Sequence, residues 1–233
     1  MTDGQSVGLT PVQWIAARAA LAEELAPLVA AAAEPGALVD ALLAAGRPIE
    51  AARCVAGALP PREGIWWAWV SAKHTAQALH GAGLPPLLKL CLEAVEKWIT
   101  APTDEHRRAA WSAGDALGLS TAAGATAGAV FLSGGSVAAA GGPEAPPPPG
   151  VCGTMVSTAV ILAVTTAPPA SIAERWAATV QQGRAIIDQL GGWDAAIATT
   201  WQGLEAQQQA FARATQPPPA GDAAPAAPAG AAP

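Results

Sequence analysis

The sequence predicts an all-α protein, an irregular array or orthogonal bundle of about ten helices with disordered termini. Three observations carry that prediction. Apolar positions recur at helical rather than alternating spacing. Alanine, the best helix former, dominates, whereas the β-branched and aromatic runs of strands are scarce, with no Tyr and two Phe. The 22 Pro and 24 Gly fall between the periodic stretches as punctuation. Nine Trp, together with Leu, Val and Ile, must therefore supply the bulk of the core.

Residues 1–9 read as disordered. Thr10-Pro11-Val12-Gln13 has the capping-box pattern with proline at the first helical position. One helix is expected to run from it through Trp14, Ala17, Leu21, Leu25 and Val29, bent near Pro27 and ended by Pro35-Gly36. A short helix over 37–45 follows and closes on Gly46. Another spans 48–59, with Ile49, Ala52, Val55 and Leu59 on one stripe.

The helix over 61–80 holds Trp66, Trp67 and Trp69. At helical pitch Ile65, Trp69, Ala72, Ala76 and Leu79 share one face. Trp66, Val70 and Lys73 lie to one side of it, and Trp67 and His74 to the other. Apolar groups on three sides must be covered from more than one direction, so this is the expected central helix.

An amphipathic helix over 87–99 is expected to turn Leu87, Leu90, Cys91, Val95 and Trp98 inward, with Glu93 and Lys97 paired outside. Thr103-Asp104-Glu105 opens the next helix, ending at Gly118, with acids at its positive end. In the small-residue helix over 120–132, Gly124 and Gly128 share a face suited to close helix contact. The Gly/Pro-rich stretch 134–150 reads as a linker between an N-terminal helical domain, 10–133, and C-terminal helices, 151–215, that pack back onto it.

The apolar run Val151 to Ala167 is at the short limit for a membrane span, carries five hydroxyls, and has no aromatic belt or flanking Lys or Arg. A buried core helix is the expectation. Ser171-Ile-Ala-Glu174 has the second capping-box pattern and opens a helix to Leu190. After Gly191-Gly192 the last helix, 193–215, carries Ile197, Trp201, Leu204 and Phe211, with Gln207 to Gln209 solvated. The Pro/Ala/Gly tail 216–233 cannot bury enough apolar surface to order itself.

Charge narrows the function classes. A net charge of −6 with 13% charged residues argues against a nucleic-acid partner. The adjacent pair Arg107-Arg108 follows Asp104-Glu105 and reads as local pairing. Cys54, Cys91 and Cys152 show no CxxC spacing, and small buried hydrophobes in a reducing cytoplasm is the expected state. The polar, acidic start lacks a signal-peptide pattern, and a cytoplasmic location is expected.

The search for chemistry yields little. His74 and His80 are six apart, not the i,i+4 of a helical metal pair, and no spacing demands a zinc cluster with Cys54 and Cys91. No G-x-S-x-G string is present. Glu23-Glu24 and Asp104-Glu105 diverge on a helix, and Glu63 reads as a first-turn acid rather than a general acid. No catalytic residue, cofactor or metal ligand is predicted. What remains is a possible interaction surface at Arg62, Glu63, Trp66 and Trp67, with Trp69 assigned to the core and at least one of Trp66 and Trp67 partly exposed.

The string Leu59-Pro-Pro-Arg-Glu-Gly-Ile-Trp-Trp67, with Ala44-Ala-Gly-Arg-Pro-Ile-Glu before it and Ile172-Ala-Glu-Arg-Trp176 after it, resembles an uncharacterised bacterial domain family across about residues 12–190. No activity is established for that family, so no functional residue carries over. Its genes are associated with type VI secretion loci, near spike-tip and effector-adaptor genes. The resemblance thus implies an accessory role. The resulting expectation is a non-enzymatic helical adaptor that contacts a secretion component or effector. The alternatives are a helical domain holding a small apolar ligand in a Trp-lined groove, and a secreted effector.

Overall fold

Proline starts most of the helices. It occupies the first helical position in α1 (Pro11–Arg18), α3 (Pro35–Ala44), α4 (Pro48–Ala58), α5 (Pro61–His80) and α6 (Pro86–Thr100), and the second in α2 (Ala26–Ala31). Its fixed φ suits the first turn, where its missing N–H has no partner to lose. Threonine caps α1, α7 (Asp104–Leu117) and α8 (Ala122–Phe131). The last three helices are α9 (Val151–Thr165), α10 (Ile172–Gln189) and α11 (Trp193–Thr215). The computed structural model describes residues 8–139, 141–166 and 172–216, and among them there is no strand. The Ser171 cap, residues 1–7 and residues 217–233 lie outside the described residues.

Two expectations about the first forty residues are corrected. Pro35-Gly36 opens α3 rather than closing the helix before it. The single helix from Trp14 to Val29 is instead three pieces, α1, a 3₁₀ turn at Glu23–Leu25, and α2. The break is at Ala20, whose φ of +48° is left-handed. There Leu21 N–H donates to Ala16 O and Ala20 N–H to Ala17 O, the paired closure usually built on glycine.

The core is continuous through α1, α3–α10 and the start of α11. At its centre α5 packs on α6, α8, α9 and α10. The buried residues of α5 are Gly64, Ile65, Trp67, Ala68, Ser71, Ala72, Thr75 and Ala76. Trp69 is only half-buried and Leu79 is exposed. Every residue of α8 after Ala122 is buried. Small side chains make that possible. A Cβ on Gly114 of α7 would lie 2.5 Å from Ala127 Cβ, and one on Gly128 would lie 2.8 Å from Met155 Cε of α9. The predicted Gly128 contact is thus between helices, whereas the bare Cα of Gly124 faces Gly118 O in the turn before α8.

Helix α9 buries Cys152, Val156, Ala159, Val160, Ala163 and Val164 in this core. No helix among the described residues is long and apolar enough to cross a membrane. On α6 the inward set is Cys91, Leu92, Val95 and Trp98, while Leu87 and Leu90 are exposed. At about 100° per residue both lie on the same side of the Cys91–Trp98 direction, Leu87 about 30° and Leu90 about 90° round from it, away from the buried Val95 and Leu92. Glu93 pairs backward with Lys89 at 3.9 Å instead of forward with Lys97.

The stretch 134–150 is no loose tether. Arg107 and Arg108 donate to the carbonyls of Ser136 and Ala138, and Ser136 Oγ accepts from the N–H groups of Ala138 and Ala145. Helix α10 is held by Trp67 Nε1 donating to Thr179 O and by Arg175 donating to Thr75 Oγ1 and Ala163 O. Helix α11 buries only Ala196 and Thr200, whose hydroxyl donates to Ala58 O. Gln208 and Gln209 are solvated as expected, but Gln207 is half-buried and reaches Gly150 N–H and Ser133 O.

Candidate functional site

The predicted surface at the start of α5 divides. Arg62 is exposed and its Nε donates to Ile99 O at 2.8 Å, fastening the start of α5 to the end of α6. Glu63 is half-buried in the first helical turn. Trp66 is 38% exposed, whereas Trp67 is 0% exposed. Trp67 therefore belongs to the core and leaves the predicted surface. The two are 100° apart on the helix, and α10 covers only the Trp67 side.

Trp66 continues in a stripe along the α6 edge of α5, with Arg62 before it and Trp69 and Lys73 after it, at i, i+4, i+7 and i+11. Trp69 Nε1 donates to Leu92 O at 2.9 Å, and Lys73 Nζ stands 4.3 Å from the Trp69 ring centroid. Beside them lies an open groove of ≈ 380 Å³ between α5 and α6, with Trp69, Leu84 and Leu92 as its apolar part and Lys73, Lys89, Glu93 and Glu96 around them. An amphipathic chain could lay apolar side chains on the floor and polar ones on this mixed rim.

The cysteines and histidines do not converge. Cys54, Cys91 and Cys152 are free and buried, whereas His74 and His80 are exposed. Among the described residues no three His, Cys, Asp or Glu side chains come close enough to share a metal ion. Burial pushes the thiols of Cys54 and Cys152 up to about 12 and that of Cys91 to about 11. Thiolate, the reactive form, is therefore scarce. The native protein should give no fast reaction with a thiol reagent at pH 8, and all three cysteines should react after denaturation. A fast native equivalent would contradict the burial.

A second feature escaped the sequence reading. Arg18 at the end of α1, Arg53 on α4 and the start of α9 border one cleft of ≈ 500 Å³. Arg18 Nε donates to Gly57 O at 3.0 Å, and its guanidinium carbon lies 5.1 Å from the Trp14 ring centroid. Burial pulls the Arg18 guanidinium below its ordinary pKa. The one sequence cue was at Gly150-Val151-Cys152-Gly153, a helix start with no Ser, Thr, Asp or Asn to cap it.

The fold and these surfaces define an all-helical domain built round a tryptophan-bearing central helix, with an open groove on one side and an arginine cleft on another. The model of a family of unknown function, DUF6931, matches residues 38–187, and the chain belongs to that family. The matched span runs from within α3 to within α10, so it holds the α5–α6 groove, Arg53 and α9 but not Arg18. No curated protein and no solved structure matches the chain.

Proposed function

We propose that the protein is a helical adaptor that binds a protein partner along the α5–α6 groove and performs no chemistry of its own. The observation that carries this reading is Trp66, a large aromatic left 38% exposed within a stripe that also holds Arg62, Trp69 and Lys73. Exposed Trp and Arg side by side are the residue types that dominate binding energy at protein interfaces. The groove's apolar part and mixed-charge rim suit an amphipathic helix of the partner. The partner's identity, a component or effector of a bacterial type VI secretion system, rests on the family resemblance of the Leu59–Trp67 string.

Trp66→Ala separates binding from folding. Trp66 makes no side-chain hydrogen bond among the described residues, so its truncation should shift stability by less than about 1 kcal/mol. Affinity for the partner should fall by about tenfold or more. The wild-type chain, used as bait in its native host, should recover a secretion component or effector that the variant does not. Recovery of none, or equal recovery by both, overturns the reading.

A further inference from the structure

The cleft at the start of α9 gathers positive charge. Its lining includes Arg18 and Arg53 but, among the described residues, no acidic side chain, in a protein of net charge −6. Both Nη atoms of Arg18 lack an acceptor among the described residues, and neither is sealed from solvent. They lie over bare glycine backbone. A Cβ on Gly150 would sit 3.3 Å from Nη1, and one on Gly153 would sit 3.4 Å from Nη2. Arg53 is exposed, one turn before Gly57 on α4, and makes no salt bridge among the described residues. The nearby acid, Glu50, is held by Arg47 at 2.6 Å.

The third positive element is α9 itself. Gly150 caps it in a left-handed conformation and offers no side chain, and the N–H groups of Cys152 and Gly153 have no backbone or side-chain acceptor among the described residues. A helix start carries roughly half a positive charge. Two guanidinium groups beside it are mutually unfavourable unless an anion lies between them. Burial already depresses the Arg18 guanidinium, and among the described residues no carboxylate pairs with it.

We propose that this cleft binds the phosphate group of a small molecule, with Arg18, Arg53 and the N–H group of Gly153 as donors. Two guanidinium charges and a helix start match a group of nearly two negative charges better than a carboxylate of one. Guanidinium and backbone N–H donors suit its tetrahedral oxygens. The cleft's ≈ 500 Å³ leaves room for more than a bare ion, and Ala19, Val151 and Ile161 supply apolar wall for the rest of the ligand. This site is separate from the α5–α6 groove and does not depend on it.

The test follows backbone amide shifts of the full chain during titration with inorganic phosphate and, separately, with acetate, chloride holding ionic strength constant. Saturable shifts centred on Gly153 are expected with phosphate, and binding at least about tenfold weaker with acetate. Arg53→Gln should weaken phosphate binding about tenfold, the effect of one charge-assisted hydrogen bond. Arg53 is exposed and makes no side-chain hydrogen bond among the described residues, so the variant keeps its fold. Arg18→Lys retains charge but loses the fork, and should weaken binding as well. No saturable shift at Gly153, equal binding of acetate, or unchanged binding in Arg53→Gln overturns the proposal.

Discussion

Replacing Trp67 with alanine should cost about 3–5 kcal/mol, a large part of the whole stability of an ordinary domain. The ring is fully buried and stands where α4, α5 and α10 meet. A Cβ on Gly183 of α10 would lie 2.9 Å from Trp67 Cε2 and 2.5 Å from Val55 Cγ1 of α4. Gly183 is bare because the indole occupies the space. Its Nε1 also donates to Thr179 O at 3.0 Å, across 112 residues of sequence. Truncation thus opens a cavity and removes a tie between α5 and α10. Trp67→Phe keeps much of the bulk and loses the donor, and should cost less, about 1–3 kcal/mol. Urea unfolding of the two variants beside Trp66→Ala should rank them Trp67→Ala, Trp67→Phe, Trp66→Ala in falling cost. A Trp67→Ala variant within about 1 kcal/mol of wild type would show that Trp67 does not anchor the core.

That ranking could not be read from the sequence, although most of the helices could. The bounds of α5 were legible at both ends because Pro61 starts it and Gly81 follows it. The capping box at Thr10-Gln13 was legible for the same reason, as local chemistry suffices. Local chemistry failed at Pro35-Gly36, since a Pro-Gly pair can follow one helix or begin the next. It also failed at Ala20, because the usual signal for a left-handed closure is glycine and here the position is alanine. Trp66 and Trp67 are adjacent, and only α10, returning more than a hundred residues later, decides which is covered. The arginine cleft was invisible for the same reason. Arg18, Arg53 and Gly150 sit on separate elements, and none carries a motif. Likewise the proline-rich composition of 134–150 says nothing of what grips it. That depends on Arg107, whose sequence neighbourhood shows only Asp104.

Arg107→Ala should cost about 3 kcal/mol or more and open the 134–150 stretch to proteolysis. Arg107 is 4% exposed, although it is an arginine in the first turn of a helix. Its Nη1 donates to Phe131 O at 2.7 Å and its Nη2 to Ser136 O at 2.7 Å, while Nε and Nη2 grip Asp104 Oδ1 at 3.0 and 2.5 Å. The guanidinium also lies 4.8 Å from the Phe131 ring centroid, and that ring stacks on Trp111. One side chain thus joins the start of α7, the end of α8 and the loop that follows. Removing it strands the carbonyl of Phe131 and loosens Ser136, whose hydroxyl accepts from both Ala138 and Ala145. Lysine should not rescue, because a single ammonium cannot span Asp104 and two diverging carbonyls. Arg108→Ala should cost less, since Arg108 is partly exposed and shares Ser136 O with Arg107. Acid should mimic the loss in part. Hydrogen bonds from Arg108 and Arg107 hold the Asp104 carboxyl below its ordinary value. Its contribution is present above the unfolded carboxylate pKa, about 3.9, and is lost as pH falls through the lower folded value. Unfolding midpoints and limited proteolysis of wild type, Arg107→Ala, Arg107→Lys and Arg108→Ala check the order. Cleavage within 134–150 should rise first in the two Arg107 variants, and an Arg107→Ala protein as stable and as resistant as wild type would refute the role given to this side chain.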